Sequence, residues 1–376
     1  MAFEKLTKFL DNIDKDLVPQ CEMSIFMDNR QIYYHRSNRE DEPFFEEDNL
    51  YFIFSATKVI TCTAALRLVE RGIIGLDDPV SKYLPEFGAL YLRGEKPVLA
   101  KNTLTVRHLF TMTGGFTYNL GFEAIEKVKK EKQGKATTRE LVSAMAKMPL
   151  EFEPGEGYCY SLCHDILAAV VEVASGKRYG EFLREEIFEP LGMEETTFRP
   201  TAETRKRMKQ FEANVTFHTS SLHEPENNFI LSECYESGGA GLISSIKDYS
   251  KFADALASGK APNGYVLLKP ETIELMHSNQ LYGKAREDFA EKIARLDNLG
   301  YSYGLGVRTM IEPEKSGNCS PVGEFGWDGY AGAYVMLYPE KKLSAIYFQH
   351  VVKETFNYTG YVHAALKNHI FEELGE

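Results

Sequence analysis

Tyr51-Phe52-Ile53-Phe54-Ser55-Ala56-Thr57-Lys58-Val59-Ile60 is the stretch from which the fold of this chain can be read. Tyr51 to Phe54 has the pattern of a strand, and Val59 to Arg71 that of a helix. Helical residues three apart share a face, so Lys58 reaches back one turn to the hydroxyl of Ser55. A serine hydroxyl is a poor nucleophile until a neighbouring base takes its proton. A lysine can be that base when burial or nearby positive charge favours its neutral form. Backbone N–H groups at a helix start also point at a developing anion. Strand, Ser-x-x-Lys and helix together supply a nucleophile, a base and part of an oxyanion hole.

Roughly one Ser-x-x-Lys is expected by chance in a chain of this length. A second copy exists at Ser244-Ser245-Ile246-Lys247. No apolar strand ends on it, and Lys247-Asp248 reads as a solvated helix start. The plain alternative for Ser55 itself is a helix cap followed by an exposed lysine. The rest of the chain separates the two readings.

The chain has 376 residues, 43% hydrophobic and 26% charged, enough for a large core and about two domains. A net charge of −12 speaks against nucleic acid or an anionic membrane as partner. The start lacks a signal-peptide core, and no run approaches the roughly 20 apolar residues of a membrane span. The six cysteines are scattered, and Cys159-x-x-x-Cys163 has no second ligand pair of matching spacing. They read as reduced thiols of a cytoplasmic protein without a metal.

Residues 3–18 carry a helical stripe, Phe3, Leu6, Phe9, Leu10 and Ile13. Cys21 to Met27 and Gln31 to His35 alternate as strands about the turn Asp28-Asn29-Arg30. Arg39 to Asp48 reads as a solvated loop. Residues 81–230 are mostly helical patterns, clearest at Val142 to Met148, Asp165 to Ala174 and Gly180 to Phe188. Gly238-Gly239-Ala240-Gly241 is a tight, backbone-exposing turn before a helix from Ile246 to Ala257. Strand patterns follow at Tyr303 to Met310, Tyr334 to Tyr338 and Leu343 to His350, then a helix from about Tyr358 to Leu374. The expected fold is α/β: residues 1–80 and 235–376 form a sheet domain, and 81–234 a mainly helical inserted domain.

Several blocks resemble the serine β-lactamase and penicillin-binding-protein-like family, closest to class C β-lactamases and their esterase and D-aminopeptidase relatives. They are Ser55-x-x-Lys58, Leu76-Asp77-Asp78-Pro79 through Pro85, Leu104-Thr105-Val106-Arg107-His108-Leu109 through Gly115, Glu153-Pro154-Gly155, and Pro190-Leu191-Gly192-Met193. The resemblance implies an antiparallel sheet flanked by helices. It places the family's Tyr-x-Asn motif at Tyr160-Ser161-Leu162, with Tyr160 a base or proton relay. Leu162 removes the asparagine amide that helps hold lysine and substrate. His164 either replaces part of that polarity or is an ordinary helix histidine.

The family's Lys-Thr-Gly motif has two candidates. Lys315-Ser316-Gly317 matches the letters. Trp327-Asp328-Gly329 matches the position, before the strand at Tyr334, and receives the assignment. Trp327 then walls the acyl pocket, and Gly329 lets the strand edge approach the substrate. The N–H groups of Ser55 and Tyr330 are the expected oxyanion donors. With no cation at Trp327-Asp328, a β-lactam or D-Ala-D-Ala carboxylate loses its grip unless Arg107, Lys315 or another cation restores it. The resemblance therefore implies a cofactor-free serine hydrolase acting on small esters. A D-amino-acid amidase, D,D-peptidase or weak β-lactamase is the runner-up, and an inactive binding protein the third reading. Gly121 to Lys135 and Val215 to Phe229 are expected to border the pocket.

Overall fold

The computed structural model describes residues 3–41, 44–45, 48–208, 212–213, 227–294, 299–352 and 359–375. Seven strands make the central sheet: β1 (Gln20–Met27), β2 (Arg30–Asn38), β3 (Tyr301–Tyr303), β4 (Arg308–Met310), β5 (Phe325–Asp328), β6 (Tyr334–Tyr338) and β7 (Leu343–Phe348). Their order is β2-β1-β7-β6-β5-β4-β3. Every neighbouring pair is antiparallel. The N-terminal β1 pairs with the C-terminal β7, from Glu22 opposite Phe348 to Met27 opposite Leu343, so the two chain ends share one sheet.

Both faces of the sheet are covered. In β6, Tyr334, Met336 and Tyr338 meet α1 (Glu4–Asn12) and the C-terminal helix Ala364–Leu374. Val335 and Leu337 face the larger core, which runs through the helical middle of the chain. This alternation is the period of two along a strand. The nucleophile helix, α2 (Thr57–Glu70), is buried at every residue from Thr57 to Leu68. A helix buried all round needs no polar face, which is why its pattern is only weakly amphipathic. Among the described residues no helix is long and apolar enough to cross a membrane.

Several boundaries differ from expectation. The first helix stops at Asn12, not 18, although Ile13 stays buried. Asp14 captures the following backbone, its side chain accepting from Asp16 N at 2.9 Å and its carbonyl from Leu17 and Val18. Asp side chains compete with the helical ladder in this way. Tyr303 to Met310 is not one strand but parts of two. Gly304-Leu305-Gly306 turns the chain back, with Gly306 at φ 87° and Gly304 N donating to the Val307 carbonyl. The β1–β2 turn needs only Asp28 and Asn29, both at positive φ, so β2 starts at Arg30, and it runs on to Asn38, which pairs with Gln20. The helix expected from Val142 starts at Thr138, because Thr137 and Glu140 form a capping box. The pattern from Gly180 begins at Tyr179 and widens into a π turn at Arg184–Phe188. The last helix is entered through a π turn at Thr359–His363, and Tyr358 lies outside the described residues.

Candidate active site

The nucleophile sits on a sharp change of direction. Tyr51-Phe52 pairs with Ile243-Ser244 in a two-residue ladder. Phe54 then takes φ 45°, unusual for a bulky residue. The chain passes through a 3-10 turn, Phe54–Ala56, into α2. The strand is thus two residues shorter than its apolar run, and Ser55 stands on the turn. Tyr249 Oη fixes the turn by donating to the Ala56 carbonyl at 2.8 Å, and Thr57 Oγ1 accepts from Leu242 N at 3.2 Å.

Lys58 is fully buried. Its Nζ lies 3.0 Å from Ser55 Oγ and 3.0 Å from Tyr118 Oη, and donates to the Gly239 carbonyl at 2.6 Å. Tyr160 Oη donates to Ser55 Oγ at 2.7 Å. Trp327 Nε1 donates to Tyr160 Oη at 3.2 Å, and the two rings stack with centroids 5.6 Å apart. The structure therefore brings Ser55, Lys58, Tyr160 and Trp327 into one hydrogen-bonded group. Burial, then the neighbouring Tyr160 and Asp165, push the Tyr118 phenol well above the ordinary tyrosine range, so it keeps its proton.

An aromatic wall surrounds Ser55. Trp327 stacks on Tyr160, Tyr160 meets Tyr118 at 5.5 Å, Tyr118 meets Phe229 at 5.5 Å, and Phe229 meets Tyr330 at 6.2 Å. Phe54 ends the row against Tyr330 at 5.8 Å. Gly329 lies against the nucleophile turn. A Cβ there would stand 2.4 Å from the Ile53 carbonyl oxygen. Only glycine lets the end of β5 come so near the nucleophile turn. Lys292, on the helix Gly283–Ala294, stands at the rim with its Nζ 5.6 Å from the Tyr160 ring centre.

Other residues expected at the site lie elsewhere. Asp328 does not face the pocket. It alternates with Trp327 along β5 and points to the opposite face, where the buried Arg308 donates to it at 2.9 Å. Its charge is already paired there. Leu162 and His164 are core residues. His164 faces the Phe110 carbonyl at 3.2 Å and Cys62 Sγ at 3.6 Å. Burial, reinforced by Lys58, pulls its pKa down to about 3, which keeps it neutral. Lys315 is exposed and bound to Glu312, and Arg107 to Asp77 and Gln280. Neither reaches the site. Within the segments expected to border the pocket, Glu123–Glu131 is a helix and Phe229 joins the wall, whereas 214–226 lies outside the described residues.

Sequence reasoning missed Tyr118, Lys292 and the Gly239 carbonyl. Tyr118 had a signal, its place just after Gly114-Gly115. The others are carried by chain segments whose neighbours only folding reveals. Among the described residues no set of His, Cys, Asp and Glu is gathered as for a metal ion.

The Beta-lactamase family pattern matches residues 22–366. Esterase EstB of Burkholderia gladioli is 30% identical over 335 residues, covering 80% of this chain and 78% of that protein. The lovastatin esterase of Penicillium rubens is 30% identical over 286 residues, covering 70% of this chain and 71% of its own. Among solved structures, EstCE1, a hydrolase with promiscuous acyltransferase activity, shares the fold with a TM-score of 0.79, at 22% identity over 98% of both chains. The chain belongs to the β-lactamase family and is a serine hydrolase of its esterase-related kind.

Proposed function

We propose that the protein is a carboxylesterase-type enzyme that cleaves small, neutral carboxylic esters through an acyl-enzyme on Ser55. The observation that carries this reading is the contact of Ser55 Oγ with both Lys58 Nζ and Tyr160 Oη, beneath a tryptophan rather than a cation. Hydrogen-bond counting supports the role of Lys58. The Gly239 carbonyl can only accept, so one N–H of Lys58 is spent there. A second serves the Tyr118 oxygen, and the third position of the amine faces Ser55 Oγ.

Ser55 Oγ attacks the carbonyl carbon as Lys58, with Tyr160, takes its proton. The N–H groups of Ser55 and Tyr330 hold the oxyanion. Collapse breaks the bond to the alkoxide, Tyr160 returns a proton to it, and the alcohol leaves. Water then repeats the sequence on the acyl-enzyme and frees the acid. The indole N–H stabilises negative charge on the Tyr160 oxygen at each transfer. The aromatic wall suits an apolar acyl group.

Amide, D,D-peptide or β-lactam turnover is the second reading, and Lys292 at the rim is the observation that favours it. A fluorophosphonate probe separates an enzyme from an inactive binding protein. Labelling is expected in the wild type and absent in Ser55→Ala. A short p-nitrophenyl ester is expected to turn over faster than a chromogenic cephalosporin. The reverse order would overturn the ester reading.

A further inference from the structure

The turn Gly238-Gly239-Ala240-Gly241 supplies the carbonyl that holds Lys58. Its first two glycines have no room for a side chain. A Cβ on Gly238 would stand 2.5 Å from the His164 carbonyl oxygen. A Cβ on Gly239 would stand 2.5 Å from Asp165 Oδ2 and 3.0 Å from Tyr118 Oη. The turn thus lies directly on the first turn of the helix Cys163–Ser175, and Asp165 is the group beneath it.

Asp165 is 1% exposed. Its Oδ1 accepts from Tyr235 Oη at 2.7 Å, Ser237 Oγ at 2.6 Å and Gly239 N at 3.3 Å. Ser237 Oγ in turn accepts from Ala240 N at 3.0 Å. One carboxylate oxygen therefore organises the backbone from Ser237 to Ala240. Oδ2 has no hydrogen-bond partner among the described residues. A buried carboxylate oxygen without a partner is costly, so stability alone does not account for it. It lies beside the Gly239 peptide and the Tyr118 hydroxyl, the two groups that bind Lys58 from behind. No carboxylate makes an ion pair with Lys58 among the described residues.

We propose that Asp165 is a positioning residue for the reaction: it fixes the turn from Ser237 to Gly241, holds the Gly239 carbonyl against Lys58 Nζ and so aims the amine at Ser55. Its charge also faces the positive charge that Lys58 gains on taking the serine proton. The inference rests on Lys58 acting as the base for Ser55.

The test uses the full chain, with the rate of fluorophosphonate labelling and kcat and KM for p-nitrophenyl acetate, each expressed per labelled site. Asp165→Asn keeps the shape and an acceptor for Tyr235 and Ser237, and removes the charge. It is expected to lower kcat and the labelling rate about 30-fold, with KM changed less than about threefold. Ser237→Ala, which cuts one strut and leaves the charge, is expected to lower both about fivefold. A merely structural Asp165 would lower yield or melting temperature and leave the rate per labelled site at the wild-type value. That result in Asp165→Asn overturns the proposal. If Asp165→Asn does not fold, a wild-type rate in Ser237→Ala overturns it instead. Labelling of Lys58→Ala as fast as the wild type would sink the role of Lys58, and this proposal with it.

Discussion

The two Ser-x-x-Lys tetrapeptides have the same spacing and opposite fates. They even flank one ladder, since Tyr51-Phe52 pairs with Ile243-Ser244. After Phe52 the chain reverses at Phe54, exposes Ser55 on a turn and buries Lys58 beneath it. Ser244 instead stays in the ladder, fully buried, its Oγ against Thr196 Oγ1 at 2.8 Å. Ser245 caps the next helix by accepting from Asp248 N at 3.1 Å. Lys247 points outward, its side chain 64% exposed, and pairs with Asp48 at 3.3 Å. The spacing supplies neighbours on a helix. The walls that make one neighbour a base, Tyr118, Tyr160 and the Gly239 carbonyl, come from three other segments.

Burial alone does not make the difference either. Lys367 is as buried as Lys58, but its listener is Tyr301 Oη at 3.4 Å, within a cluster that includes Glu324 and Arg308.

The largest expected effect breaks the symmetry of the two tetrapeptides. Ser55→Ala or Lys58→Ala should lower ester turnover by about a thousandfold or more, whereas Ser244→Ala and Lys247→Ala should stay within about twofold. Steady-state kinetics on a p-nitrophenyl ester reads this, and equal losses at the two sites would refute it. Next come the walls. Tyr160→Phe should cost about a hundredfold in kcat. Trp327→Phe, which keeps a ring and loses one hydrogen bond, should cost about tenfold.

A third measurement concerns the other buried lysine. Burial holds Lys367 down to about 8, from an ordinary 10.5. The unfolded chain therefore binds more protons between those values, and this lysine's contribution to stability grows as pH rises from about 8 towards 10.5. Denaturation of Lys367→Met should lack that rise, while Ser55 labels at the wild-type rate. The smallest effects belong to exposed cations. Lys292→Ala should weaken an anionic ester about threefold and leave a neutral one unchanged, as an exposed charge contributes about 0–1 kcal/mol. Lys315→Ala should change neither ester; a loss as large as that of Lys58→Ala would move the third motif to Lys315-Ser316-Gly317.

Much of the fold was legible because its signals are local. The apolar runs of β6 and β7, the stripe of α1 and the Ser55–Lys58 spacing each depend on residues a few positions apart. Errors fell where a local competitor acted: Asp14 ended a helix, Gly306 split a strand, and Phe54 shortened one. Asp328 shows the limit. It neighbours Trp327 in the chain, but the period of a strand sends the two side chains to opposite faces.

By itself, then, the sequence determined a nucleophile one helical turn from an amine, a tyrosine and tryptophan to accompany them, and a sheet shared by the two chain ends. The spacing and the shared sheet follow from periodicity and residue chemistry; the tyrosine and tryptophan follow from the family resemblance. Only the tertiary structure decided that Lys58 rather than Lys247 meets a serine, that Tyr118 and Gly239 complete its shell, that Asp328 turns to Arg308, and that Asp165 lies under the turn. The contacts of Lys58 with Tyr118 and Gly239 join residues 60 and 181 positions apart. Distances of that kind are set by packing, and no local pattern encodes them.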